Sequence, residues 1–332
     1  MRKILITGAS GCIGHYVTEA LTADPSVELF LFVRDPRKVR LDPRWRSGVT
    51  VVSGDLREIA RFADLLKTIN VAILAATAWG PPEAHDINVV RTLQLLHLLD
   101  PRVCEQVLYF STASIFNREN RPLAQAGQFG THYIRAKFEA LRRLPEVPVA
   151  ERITVLAPTL VFGGDAEKPH SFLSIDAPAF IKYVNLARFL SIDGSFHFIH
   201  ARDVAQVVRH LVNHPGLGGG LRTIVLGQEA LTFNQAVQQI CDALDKRIYF
   251  RIPIPASWLI RVAPLFQRHL PAEEAAWGAF CLRYRHFTHL DPVNPATFGL
   301  PSYYPTLVGA QQITGSLRGR VIPGVSSQHS QP

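Results

Sequence analysis

In the stretch GTHYIRAKFEAL, residues 130–141, Tyr133 stands four places before Lys137. On a helix that spacing puts both side chains on one face, one turn apart. A phenol near its reference pKa of about 10 is a poor base at neutral pH. A nearby ammonium stabilises the phenolate, so the pair could act as an acid/base unit. Ile134, Phe138 and Leu141 mark a neighbouring apolar stripe and predict the helix. The chain holds eight tyrosines, so one such match carries little weight without its surroundings.

A second group lies near the start. Gly8-Ala9-Ser10-Gly11-Cys12-Ile13-Gly14 falls between an apolar run and a helical pattern. A glycine-rich turn there lets backbone N–H groups approach a pyrophosphate at the positive end of a helix. Gly14 would let the helix pack closely on the strand. The spacing is GxxGxxG rather than the commoner GxGxxG. The next acidic residue expected to hold an adenosine ribose is replaced by Val33-Arg34-Asp35. Arg34 is placed to stack on adenine and pair with a 2′-phosphate, with Arg37 and Lys38 adding charge. This favours NADP(H) over NAD(H). Asp35 would serve NAD(H) if the register shifted by one. Asp55, in Ser53-Gly54-Asp55-Leu56, is a candidate acceptor for the adenine amino group. Ser111, Thr112 and Ser114 supply hydroxyls that could bind a substrate oxygen.

The elements that must position these residues follow from apolar runs without polar alternation. KILIT (3–7), ELFLFV (28–33), VTVV (49–52), NVAILAA (70–76), QVLYFS (106–111) and RITVLAP (152–158) read as strands buried on both faces of a parallel sheet. Helical patterns separate them; the first carries Ile13, Val17, Ala20 and Leu21 on one face. The expected architecture is α/β, doubly wound. After about residue 163 prolines and aromatics become frequent. RTIVLG (222–227) is expected to return to the sheet region. The expected division is a nucleotide-binding domain over 1–165, a smaller and partly interleaved substrate-binding lobe over 166–318, and a disordered tail over 319–332.

Composition narrows the function classes. The chain has 332 residues, enough for a full core, with 47% hydrophobic and 19% charged residues. No apolar run approaches the roughly 20 residues of a membrane span. The opening MRKILITGASGCIG breaks too early for a signal peptide, so a cytoplasmic location is expected. Four cysteines, Cys12, Cys104, Cys241 and Cys281, form no CxxC pair, and thirteen histidines show no HExxH spacing. No metal site is therefore expected. A net charge of +8 suits phosphate-bearing ligands. No nucleic-acid recognition motif accompanies it, so a nucleic-acid partner is not expected.

Taken in order, these segments resemble an extended short-chain dehydrogenase/reductase, the group that includes NAD(P)-dependent epimerases and dehydratases. Thr7 to Gly14 resembles the family's TGxxGxxG, and Ser53-Gly54-Asp55-Leu56 its GDL. Ala75-Ala76 resembles the AA ending the fourth strand. Asn88 and Thr92 resemble the Asn-x-x-Gly-Thr helix start, with Arg91 in place of glycine. Phe110 to Asn117 resembles the SSxxVYG segment, which makes Thr112 the catalytic Ser/Thr, and Tyr133-x-x-x-Lys137 follows. Pro158 to Gly163 resembles RPxxVYG, with Ala157 for arginine. Phe198 to Ala205 resembles FxxVxDVA.

The resemblance implies a Rossmann-type sheet with a smaller C-terminal substrate-binding lobe. It implies cofactor contacts from Gly8, Ser10, Gly11, Cys12, Ile13, Gly14, Arg34, Asp55, Leu56, Ala75, Ala76, Asn88, Tyr133, Lys137 and Pro158. It implies catalysis by Thr112, Tyr133 and Lys137 on a small-molecule substrate, by hydride transfer at a hydroxyl or carbonyl carbon of a sugar-like or other small substrate. The dehydratases' Asp-Glu after the Thr is here Ala113-Ser114, which disfavours elimination of water. Phe196 stands near the place of the arginine that grips a diphosphate, with Arg188 as a substitute. An NADPH-dependent carbonyl reductase, or a hydroxysteroid-dehydrogenase-like enzyme on an apolar substrate, is the alternative reading. A non-catalytic nucleotide-binding assembly protein is a third. The aromatic residues Trp258, Trp277, Phe280, Tyr284, Phe287, Phe298, Tyr303 and Tyr304 read as core. His197 and His200 read as hydrogen-bonded residues near a strand end. Residues 254–270 could form an amphipathic helix on a membrane surface, but Pro255 and Pro264 bound or break it, and no membrane contact is the default expectation. The oligomeric state is left open, a homodimer included.

Overall fold

A computed structural model describes residues 1–40, 48–215, 220–267 and 269–312. The expectation for the tail over 319–332 lies outside these residues. Seven strands form the main sheet: β1 (Arg2–Thr7), β2 (Val27–Val33), β3 (Val49–Ser53), β4 (Val71–Leu74), β5 (Gln106–Phe110), β6 (Ile153–Pro158) and β7 (Arg222–Leu226). Their order is β7-β6-β5-β4-β1-β2-β3, and every pairing is parallel. This is the doubly wound Rossmann-type architecture.

The central strands are apolar because both faces are covered; the edge strand β3 departs from that expectation, with Thr50 and Ser53 exposed, and on the other edge Arg222 to Ile224 are only half-buried. Along β1, Ile4 and Ile6 face one core and Leu5 the other; along β5, Leu108 and Phe110 alternate with Val107 and Tyr109. One face is covered by the helices Cys12–Thr22 and Ala201–Asn213, through Val17, Leu21, Val204, Val208 and Leu211. The other is covered by Thr92–Leu98 and His132–Arg143, through Leu93, Leu96, Ile134, Ala136 and Leu141.

The second half of the chain is threaded into the first. β7 pairs with β6 from Arg222↔Thr154 to Leu226↔Pro158. The remaining residues build a smaller lobe from short sheets. Leu160–Phe162 pairs with Phe198–His200, Leu190–Ile192 with Ile252–Ile254, and Ser195–Phe196 with both Leu231–Thr232 and His286–Phe287. Its own core gathers Phe162, Phe198, Val237, Ile240 and Leu307. Asp203, fully buried, accepts hydrogen bonds from the Tyr303 N–H (2.7 Å), the Tyr304 N–H (3.2 Å) and Gln228 Nε2 (3.3 Å), so it ties the C-terminal segment to the sheet's helix layer. Trp277, Phe280 and Tyr284 form a stacked row against the core. Trp258 and Tyr303 depart from the core reading: both are exposed. Trp258 lies in the first turn of the helix Ala256–Gln267, and Tyr303 lies in a loop, its ring 4.2 Å from the Arg202 guanidinium.

Candidate active site

The carboxyl ends of the strands bring the sequence-predicted residues to one edge. After β1 the chain turns at Gly8, whose φ is +72°; a Cβ there would lie 2.6 Å from the Ala76 N and 2.8 Å from the Ala75 O. The loops after β1 and β4 therefore touch through a position that only glycine fills. Gly11 N–H donates to the Gly8 carbonyl (2.9 Å), and a Cβ on Gly14 would come 2.2 Å from the same carbonyl oxygen. The helix starts at Cys12 with Gly11 as its cap and no side-chain acceptor there. Its first-turn N–H groups have no side-chain acceptor at the cap, with Ser10 just before it, and donors of that kind suit a pyrophosphate. Cys12 is half-buried, and burial pushes its thiol up to about 12. Ile13 packs against the core. His15, which no motif marked, bonds the Gly11 carbonyl through Nδ1 (2.9 Å) and accepts the Arg40 N–H at Nε2 (3.3 Å).

At the end of β2, Arg34 is exposed. Asp35 is held by Arg37, through Nε to Oδ1 (2.9 Å) and a second guanidinium N–H to Oδ2 (3.1 Å), and it caps the turn Pro36–Lys38. These hydrogen bonds hold its carboxyl below the usual carboxylate range. After β3, Asp55 accepts the Arg57 N–H (2.8 Å) and Leu56 is buried in the core. Ala75 and Ala76 bond Thr7 through its carbonyl (3.2 Å) and hydroxyl (3.3 Å). Asn88, fully buried on the π-helical turn Asp86–Arg91, grips the preceding loop, after β4. Its amide oxygen accepts from Thr77 Oγ1 (2.8 Å) and the Ala78 N–H (3.1 Å), and its Nδ2 donates to the Ala78 carbonyl (2.7 Å). Asn88 thus reaches the site through the backbone it holds.

Thr112, Tyr133 and Lys137 come together beyond the end of β5. Thr112 accepts the Ser114 N–H (3.3 Å), and its side chain stands near enough to the Tyr133 hydroxyl to favour the phenolate. Thr131 caps the Tyr133 helix by accepting the Ile134 N–H (3.4 Å). Lys137 is buried, donates to the Phe110 carbonyl (2.8 Å), and sits 5.0 Å from the Tyr109 ring centroid and 6.0 Å from that of Tyr133. Burial pulls its pKa down to about 7. Burial also raises Tyr133, and Thr112 only partly opposes this. In place of the expected lowering of the phenol by the lysine, burial raises it: the low-dielectric site penalises both charged forms. Pro158 ends β6 beside Leu226, whose carbonyl accepts from the Thr159 N–H (3.0 Å).

Two features went unmarked by any motif. Trp79 stacks on Tyr133, and Phe172 stacks on Trp79 with centroids 5.9 Å apart. A cavity of about 300 Å³ opens beside Ser114, between Thr159, Ile192, Phe196, Leu259 and Phe287. Among the described residues the lysine or arginine lining it is Arg285, which is paired with Asp193, to which His286 also reaches (3.3 Å). Arg188 is turned elsewhere: it donates to the Arg247 carbonyl (3.0 Å) and lies over the Phe189 ring. His197 lines the cavity, but both ring nitrogens are used, toward the Gln228 carbonyl (2.7 Å) and from the His289 N–H (3.0 Å). His200 accepts the Arg202 N–H at Nδ1 (3.1 Å) and caps a helix. Among the described residues no three His, Cys, Asp or Glu side chains converge on a metal-sized site, and no helix is long and apolar enough to cross a membrane.

Comparison with known proteins places this geometry. The family model described as the NAD dependent epimerase/dehydratase family matches residues 4–227. The protein gox2253 has a similar structure, with a TM-score of 0.67 at 18% identity, covering 96% of this chain and 98% of that one. Thermus thermophilus UDP-glucose 4-epimerase, solved with NAD, gives a TM-score of 0.58 at 16% identity, covering 96% and 100%. A phenylcoumaran benzylic ether reductase of Ginkgo biloba is 31% identical over 97 residues, which is 28% of this chain and 31% of that protein's length.

Proposed function

The chain belongs to the NAD dependent epimerase/dehydratase family, and from that premise we propose that it is a nicotinamide-dependent oxidoreductase acting at a hydroxyl or carbonyl carbon, with Tyr133 as its acid/base. The observation that carries this reading is the convergence of Thr112, Tyr133 and Lys137 at the end of β5. Lys137 is fixed by the Phe110 carbonyl, and Thr112 stands beside Tyr133. The glycine-rich turn from Gly8 to Gly14, at the start of a helix, is the proposed seat of a dinucleotide's pyrophosphate; when bound, its nicotinamide supplies or takes the hydride.

The chain's own residues do the rest. Tyr133 gives a proton to the substrate oxygen in reduction, or takes one in oxidation. Thr112 hydrogen-bonds that oxygen and fixes its distance from the phenol. Lys137, when charged, favours the phenolate; the cationic form of a nicotinamide would add to it and offset the burial that now raises the phenol. NADP(H) is the proposed cofactor, because Asp35 is committed to Arg37 while Arg34 is exposed. Ala113 and Ser114 offer no carboxyl group, so dehydration is not proposed.

A second reading on the same machinery is a reductase for an apolar carbonyl compound. It is favoured by the mostly apolar wall of the cavity beside Ser114 and by the pairing of Arg285 with Asp193, which leaves no unpaired arginine there for a diphosphate among the described residues. The test begins with mass spectrometry of nucleotide released from the denatured protein, and titration of NADPH and NADH onto what emerges empty. Retained NAD(H) supports an epimerase-like cycle; an empty protein binding NADPH supports the reductase. Tyr133→Phe should lower turnover by about 10²–10⁴-fold and leave nucleotide affinity in place. Binding of neither nucleotide, or full turnover in Tyr133→Phe, overturns the reading.

A further inference from the structure

We propose that the segment following Asp245 is a peripheral membrane surface that takes an anionic lipid bilayer. Between Asp245 and Gln267 the sequence contains Lys246, Arg247, Arg251 and Arg261 and no acidic residue. The same stretch exposes large apolar side chains: Tyr249 is 74% exposed, Phe250 58%, Ile252 52%, Trp258 53% and Leu265 66%. Isolated exposed apolar residues are ordinary, but a run of them along one all-basic segment is not.

The segment is held firmly from behind. Ile252–Ile254 pairs with Leu190–Ile192, and the Ile252 N–H donates to the Phe189 carbonyl (2.8 Å). Phe250 stacks on Phe189 with centroids 5.1 Å apart, and the Arg188 guanidinium covers that ring 4.6 Å from its centroid. In the helix Ala256–Gln267 the inward side is occupied: Ala263 is buried and Leu259 lines the cavity beside Ser114. The outward side carries Trp258, Arg261 and Leu265, spaced by three and four residues and therefore on one face. Its exposed side chains are not waiting on an internal partner.

The chemistry selects the occupant. Tryptophan, tyrosine and leucine between arginines suit the bilayer interface, where the rings sit at headgroup depth and the guanidinium groups reach the phosphates. A two-fold contact with a second copy would set the same cations against themselves. An anionic leaflet offers the complementary charge over a surface of any extent. The helix is not long and apolar enough to span, so it would lie in the interface.

The test uses the full chain and extruded vesicles of phosphatidylcholine, alone or with about a third phosphatidylserine, read by co-sedimentation. Binding at least about tenfold stronger to the anionic vesicles is expected, weakening as salt is added. Arg247→Glu with Arg261→Glu should remove the preference for anionic lipid, and Trp258→Ser with Leu265→Ser should weaken binding to both. All four positions are exposed, and thermal unfolding of each variant checks that it folds. A blue shift of tryptophan emission on anionic vesicles tests the unmodified chain without any variant. The proposal is overturned by equal, weak binding to both vesicle types. It is also overturned by binding that ignores both pairs of substitutions, or by concentration-dependent dimers that Trp258→Ser with Leu265→Ser abolishes.

Discussion

The indole of Trp79 lies against the ring of Tyr133, with centroids 4.2 Å apart and planes 24° from parallel. The indole is 59% exposed, so it shields the tyrosine from solvent while facing solvent itself. The loop that carries it is held by Asn88, so the contact is set by the same buried amide that shapes the loop after β4.

Removing that cover should change the proton chemistry. Burial is what raises the Tyr133 pKa. In Trp79→Ala water reaches the phenol, its pKa falls toward the reference value of about 10, and the pH profile of kcat/KM should move to lower pH. An unmoved profile would mean that the indole does not contribute to the desolvation.

Lys137 predicts a pH-dependent stability. Its folded pKa is lowered to about 7 from the 10.5 of a free lysine. Between those values the unfolded chain holds the proton and the folded chain does not, so stability rises with pH. The contribution is complete above the unfolded pKa and is lost as pH falls through the folded one. Thermal unfolding from about pH 7 to 10 should therefore show the unmodified protein gaining on Lys137→Met, by an amount on the order of a few kcal/mol. Parallel curves would contradict the burial argument.

Arg34 predicts the cofactor preference. An arginine paired with a 2′-phosphate makes charge-assisted hydrogen bonds whose loss costs on the order of tenfold in affinity. Arg34→Ala should raise the NADPH dissociation constant by about that factor and leave NADH unchanged. Equal effects on both nucleotides would remove Arg34 from recognition of the phosphate.

Asp203 predicts a tether. Asp203→Asn keeps one acceptor oxygen where two backbone N–H groups and Gln228 now donate, and should cost about 1–3 kcal/mol, read as a lower unfolding midpoint. Burial also raises this carboxyl to about 6. Between the unfolded value of about 4 and 6 the folded state holds the extra proton, so the unmodified protein should lose stability relative to Asp203→Asn as pH rises through that window.

Much of the fold was legible from composition along the chain. A strand buried on both faces must be apolar over most of its length, so KILIT, ELFLFV and QVLYFS announce themselves. Gly8 and Gly14 are readable because a turn and a close approach each exclude a side chain, and Tyr133 with Lys137 because the helix repeat sets their spacing. These are local constraints, stated by neighbours in the chain. What lay outside them was decided by packing between distant elements. The stacking of Trp79 on Tyr133, the Lys137 ammonium on the Phe110 carbonyl, the Asp193–Arg285 pair in the cavity wall and the commitment of Asn88 to a loop each join residues with no fixed spacing in sequence. The sign of the two active-site pKa shifts belongs with them, because desolvation depends on everything that surrounds a group in space.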